Sequence, residues 1–192
     1  MCSSDLDLTG RVLRAFVTEY DAIVYDLDGT LVRLNVDWGA VRERAAAVLT
    51  ARDVEAGEAD LWTVRELAAE CGLLDRVDGI IAEHEREGAR TATRLPLADE
   101  VARHRSVGVC SLNDESACRI ALERHGLDGH VDVVVGRGTV DTTKPDPEGL
   151  LYALQRLDAD PAASLFVGDS ESDRTAAERA GMAFRPAGEL VE

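Results

Sequence analysis

The sequence predicts an α/β fold: a three-layer, Rossmann-like core of parallel strands with a small α-helical cap inserted after the first strand. Three observations carry that expectation. Short apolar runs near 22–25, 107–111, 131–135 and 164–168 alternate with segments of helical periodicity, the pattern of strands buried on both faces. Residues 34–94, between the first two runs, hold no strand pattern. Asp26, Ser111 and Asp169 each fall at the carboxyl end of a different run, which is where open parallel sheets bind ligands. The expected division is a core of 1–33 and 95–192 and a cap of 34–94.

Leu8, Val12, Leu13, Phe16 and Val17 lie near helical spacing, so a short amphipathic helix over 8–18 leads into the first strand. Residues 31–36 read as a tight excursion beside its end. Asp37 is placed to cap a helix running to about Arg52, with Trp38, Val41, Ala45 and Val48 turned inward. Gly57 breaks that pattern. Leu61, Val64, Leu67, Ala68 and Cys71 predict a second helix closing at Gly72, and Val77, Ile80, Ile81 and His84 predict a third. The polar run from Glu85 to Arg94 either extends the third helix or links onward to Pro96. Helices are expected over 97–105, 114–125, 147–157 and 171–180, the second and last stopped by Gly126 and Gly181. Met182 to Phe184 form a last short strand.

The 192 residues carry 21 basic and 37 acidic side chains, a net charge of −16. Such a field repels nucleic acid and anionic membrane and excludes both as partners. Twenty of the basic residues are Arg and one is Lys, Lys144. With few aromatics and an acidic surface, this suits a protein kept soluble at very high salt, although a GC-rich genome biases composition the same way. Cys2, Cys71, Cys110 and Cys118 show no metal-binding spacing, and Cys71 and Cys110 sit in apolar patterns as small core residues. The start of the chain lacks a basic stretch followed by an apolar run, and no segment reaches 18 apolar residues, so a cytoplasmic protein is expected. The Glu-Arg clusters at 42–44 and 83–90 read as solvated helix faces.

The stretch Ala22-Ile23-Val24-Tyr25-Asp26-Leu27-Asp28-Gly29-Thr30 is the most informative. Side chains at i and i+2 of an extended chain leave on the same side, so Asp26 and Asp28 converge on one point. Two carboxylates there repel unless a cation or proton lies between them. Gly29 lets the backbone turn as the strand ends. Further along stand Ser111, Lys144-Pro145-Asp146-Pro147 and Gly168-Asp169-x-x-x-Asp173.

In these four elements, in this order, the chain resembles the haloacid dehalogenase superfamily of phosphohydrolases over about 20–33 and 96–186, with a layout similar to phosphoglycolate phosphatases. The resemblance implies a Mg2+-dependent phosphomonoester hydrolase acting on a small phosphorylated metabolite, as monomer or homodimer. It assigns Asp26 as the nucleophile that forms an aspartyl-phosphate and Asp28 as general acid and then base. Asp26 and Asp169 would give carboxylate oxygens to the metal and Asp28 its carbonyl, while Asp173 would support the metal site or position Lys144. Ser111, Lys144 and backbone N–H groups around Leu27 and Leu112 would hold the phosphoryl oxygens. Thr30 would fix the loop by hydrogen bonding, and Asn113 would touch substrate or cap the following helix.

The chemistry agrees: several carboxylates around one anionic substrate need a cation, and oxygen donors suit Mg2+. A lone ammonium among arginines marks a place where a compact point charge is needed. Within the resembled family, Asp28 sets the chain apart from the branch that displaces halide, whose leaving group needs no proton, and a cap without lysine sets it apart from the phosphonate-cleaving members. Arg33 is the candidate for gripping a distal anionic group of the substrate. The rival readings are a sugar phosphomutase and a non-catalytic phosphate-binding module.

Overall fold

A computed structural model describes residues 20–190; the helix expected over 8–18 lies outside the described residues. Five parallel strands form the sheet: β1 (Ala22–Tyr25), β4 (Val107–Asp114), β5 (Val133–Arg137), β6 (Ser164–Gly168) and β7 (Ala183–Pro186), in the order β5-β4-β1-β6-β7. The chain leaves β1 toward β4 on one side and later returns to β6 on the other. A switch point therefore adjoins the end of β1.

Alternation along β1 sends Ile23 and Tyr25 to one face and Ala22 and Val24 to the other, and two cores follow. On the first face Ala117, Cys118, Ala121 and Leu122 of α4 (Glu115–Arg124) pack on Ile23, Val107 and Val109. On the second, Leu150 and Leu154 of α5 (Glu148–Leu157) and Ala176 and Ala177 of α6 (Glu171–Ala180) cover Val24, Val135 and Phe166. The three-layer expectation is met.

Residues 34–94 hold α1 (Trp38–Thr50), α2 (Leu61–Glu70) and α3 (Leu74–Arg90), which bury Val41, Leu49, Val64, Val77 and Ile81 in a third core of their own. Asp37 caps α1, accepting the Ala40 N–H at 3.0 Å. The polar run after His84 continues α3 to Arg90. Two short strands absent from the sequence reading tie the stems of this segment together: β2 (Val32–Arg33) and β3 (Thr93–Arg94) pair antiparallel. Two-residue strands leave no periodicity to read.

Other expectations are corrected. The helix expected over 97–105 is two 3-10 turns, Pro96–Asp99 and Val101–Arg103, because single turns already bring Leu97 and Val101 into the first core. Cys71 is exposed, since α2 ends at Glu70, although Cys110 is buried as expected. Trp38 is turned outward, 39% exposed. His84 is only half-buried and lies 2.8 Å from the Arg44 guanidinium. The 83–90 cluster is not a wholly solvated face: Glu85 is 1% exposed.

Candidate active site

The expected residues converge at the carboxyl end of the sheet. Asp26, Asp28, Ser111, Leu112, Lys144, Asp169 and Asp173 line one cleft of about 460 Å3. Arg33 does not: it is exposed on β2, close enough only for its charge to favour ionised Asp28 and Asp169.

Asp26 follows β1 directly, anchored by its N–H to the Val167 carbonyl at 2.8 Å. The chain then turns sharply: the Leu27 carbonyl accepts the Leu31 and Val32 N–H groups at 2.9 and 3.0 Å, and the Gly29 N–H donates to the Val32 carbonyl at 2.8 Å. Gly29 is required twice, by its φ of +89° and because a Cβ there would lie 2.0 Å from Asp169 Oδ2. The turn holds Asp28, whose Oδ1 accepts the Leu34 N–H at 2.8 Å. Thr30 does not fix the loop through its hydroxyl. Its Oγ1 is buried without a hydrogen-bond partner.

Lys144 is the hub. Its Nζ donates to Asp26 Oδ1 at 2.7 Å, Asp173 Oδ1 at 2.5 Å and the Cys110 carbonyl at 3.1 Å, spending all three donors. Burial opposes its charge, but Asp26 and Asp173 outweigh it and hold the ammonium above its usual range. Burial pushes Asp26 up to about 6, with Lys144 opposing the rise and Asp173 adding to it. Asp28 and Asp169 are also raised, chiefly by burial.

Asp173 is fixed by a capping box at the start of α6. Ser170 Oγ accepts the Asp173 N–H at 3.2 Å, while Asp173 Oδ2 accepts the Ser170 hydroxyl at 2.7 Å and N–H at 3.1 Å. The cap holds Oδ2 and Lys144 holds Oδ1, so both oxygens are engaged and Asp173 fixes the ammonium in place. Oxygens of Asp26, Asp169 and Asp173 lie within 4.8 Å of one another. An all-carboxylate donor set fits a hard divalent cation such as Mg2+, and the engagement of Asp173 leaves Asp26 and Asp169 as the natural ligands.

Ser111 is buried three residues before the end of β4, which runs past it to Asp114 with an irregular register. Its hydroxyl donates to Asn113 Oδ1 at 2.9 Å. Asn113 does not cap α4. Asp114 does, accepting the Ser116 N–H at 3.2 Å.

The sequence reading missed what lies behind Asn113. Glu85 of α3 accepts from Asn113 Nδ2 at 3.1 Å and from the Asp114 N–H at 2.9 Å, and pairs with both Arg137 Nη atoms at 3.0 and 2.7 Å. Arg137, 9% exposed, also donates to the Leu112 carbonyl at 3.0 Å. This buried pair joins α3 to the tips of β4 and β5. A signal existed: Glu85 is four residues beyond Ile81 and eight beyond Val77, on the apolar stripe of α3.

A doubly wound parallel sheet with a lysine-bridged carboxylate cluster at its switch point is the architecture of a Rossmann-like α/β enzyme. The chain belongs to the haloacid dehalogenase-like hydrolases, whose family model matches residues 20–181. It is 32% identical over 179 residues to a plasmid-encoded phosphoglycolate phosphatase of Cupriavidus necator, covering 84% of this chain and 78% of the relative. It is 29% identical over 189 residues to the phosphoglycolate phosphatase of Cereibacter sphaeroides, covering 84% and 82%. A solved structure from Lactobacillus plantarum, described as a phosphoglycolate phosphatase by inference, superposes with a TM-score of 0.62 at 22% identity over 89% of this chain and 87% of that one, a likeness of fold.

Proposed function

We propose that this chain is a Mg2+-dependent phosphomonoester hydrolase that works through an aspartyl-phosphate on Asp26. The observation that carries the reading is the 2.7 Å pairing of a buried Asp26 with Lys144 in a cleft shared with Asp28 and Asp169. Lys144 orients the Asp26 carboxylate and keeps positive charge beside an incoming phosphoryl group. Asp26 attacks phosphorus, and the bond to the leaving oxygen breaks as Asp28 gives that oxygen a proton. Asp28, now a carboxylate, takes a proton from water, which attacks phosphorus and breaks the bond to Asp26. The Leu34 N–H holds one oxygen of Asp28, and the other is left for the proton. Ser111 and the backbone N–H groups of Leu27 and Leu112 hold the phosphoryl oxygens. Bound Mg2+, held by Asp26 and Asp169 with support from Asp28 and Asp173, would supply charge to offset the phosphoryl oxygens.

In this reading 34–94 is a cap over the cleft, and the enzyme is a cytoplasmic one adapted to high salt, acting on small metabolites. Among the described residues no helix is long and apolar enough to cross a membrane. The test is phosphate release from a panel of phosphorylated metabolites with Mg2+. Asp26→Asn should lower turnover by at least about a thousandfold with the fold intact. Turnover within tenfold of the unaltered protein would refute the nucleophile assignment.

A further inference from the structure

The cleft continues beyond the carboxylates to Trp38 in the first turn of α1 and to Asp60, Leu61 and Trp62 at the start of α2. Trp38 is 39% and Trp62 46% exposed, a large aromatic surface for a chain this acidic. Four observations define what this outer half receives.

Among the described residues lining the cleft, Lys144 is the single cation, and its donors are already taken by Asp26, Asp173 and the Cys110 carbonyl. The helix N-termini that would attract an anion are filled: Asp37 caps α1, and Asp60 caps α2 by accepting the Trp62 and Thr63 N–H groups at 2.9 and 3.0 Å. The Thr63 N–H holds the Asp60 carboxyl below its usual range, so a charge of the wrong sign for an anion lines the wall. Arg42 is spent on the loop before α2, donating to the Ala59 carbonyl at 2.7 Å and the Gly57 carbonyl at 2.5 Å. It fixes Asp60, Leu61 and Trp62 in place and offers nothing to the cleft.

Resting on the phosphatase reading, we propose that the leaving group is an uncharged alcohol bearing an apolar ring face, seated against Trp38, Leu61 and Trp62, and that a second anionic group on the substrate is selected against. Indole faces bind rings by stacking without needing charge. A carboxylate placed on the outer wall beside Asp60 would meet no cationic side chain there and would be repelled. The chain would then differ in specificity from relatives named for phosphoglycolate.

The test is kcat/KM of the full chain with Mg2+ for benzyl phosphate, 4-carboxybenzyl phosphate and phosphoglycolate. The first two both release a benzylic alcohol and differ by a remote carboxylate. Benzyl phosphate should exceed both by at least about tenfold. Trp38→Ala and Trp62→Ala, at exposed positions, should each raise KM for benzyl phosphate by about five- to tenfold, with a smaller loss for ethyl phosphate, whose leaving group has no ring. Phosphoglycolate or the carboxylated ester turned over as well as benzyl phosphate would overturn the specificity proposal and leave the phosphatase reading intact. Equal losses for benzyl and ethyl phosphate in the tryptophan variants would also overturn it. No phosphate released from any ester by folded protein would overturn both.

Discussion

Lys144 shows why one ammonium persists in a chain otherwise supplied with arginine. Three acceptors converge on a single nitrogen: a carboxylate from the end of β1, a carboxylate from the start of α6 and a carbonyl from β4. A planar guanidinium cannot satisfy that arrangement in a space closed by Phe166, whose ring centroid lies 5.3 Å from Nζ. Lys144→Arg should fold but lose at least about a hundredfold in kcat/KM, roughly 3 kcal/mol of transition-state stabilisation. Near-normal turnover in this variant would show that only charge matters here. Asp26 gives a pH prediction. Its folded-state pKa, about 6, lies above its ordinary value of 3.8, and Asp28 and Asp169 shift the same way. A raised carboxyl pKa contributes stability at low pH that is lost as pH rises through the folded value. The metal-free protein should therefore lose stability between about pH 4 and pH 6 from this group, and protons should compete with Mg2+. The rise in Tm on adding Mg2+ should be largest above about pH 7 and shrink below about pH 6. A Mg2+ effect independent of pH across that range would argue that Asp26 is not a ligand.

At the scale of elements, close approaches decide which substitutions are tolerated. Gly88 in α3 has no unusual dihedral, and alanine is ordinarily the better helix former by about 1 kcal/mol. Yet a Cβ there would lie 2.6 Å from Val36 Cγ2 and 2.8 Å from the Asn35 carbonyl oxygen, where the chain enters the helical segment. Gly88→Ala should lower Tm by several degrees, the reverse of its helix propensity, with a cost of about 1–3 kcal/mol. An unchanged or raised Tm would mean that the 35–36 segment yields freely. The same comparison separates what the sequence revealed from what it hid. Strands β1, β4, β5 and β6 and helices α4 to α6 were legible because buried apolar runs and amphipathic stripes have periods of their own. Asp26 and Asp169 are legible through residue type and position at strand ends, and Lys144 as the one lysine in a chain of arginines. Glu85 and Arg137 are not, because each looks like an ordinary surface charge until α3 is laid against β4 and β5, some 50 residues apart in sequence. The capping box of Asp173 with Ser170 is stated locally by Ser-x-x-Asp, but its hold on Lys144 needs the fold.

For the whole molecule, a net charge of −16 on 192 residues makes self-repulsion a standing cost of the compact state. Screening should relieve it, so Tm should rise steadily as KCl goes from about 0.05 M to roughly molar. A Tm that falls or stays flat would show that paired surface charges such as Arg65 with Asp78, 2.6 Å apart, matter more than the excess. In the proposed mechanism two displacements occur at phosphorus, the first by Asp26, whatever the salt, substrate or stability. The most direct test is the steric course of hydrolysis of a phosphate ester made chiral at phosphorus with oxygen isotopes and sulfur. Two in-line displacements predict retention of configuration. Inversion would mean that water attacks the ester directly, and Asp26 would then be a metal ligand and not the nucleophile.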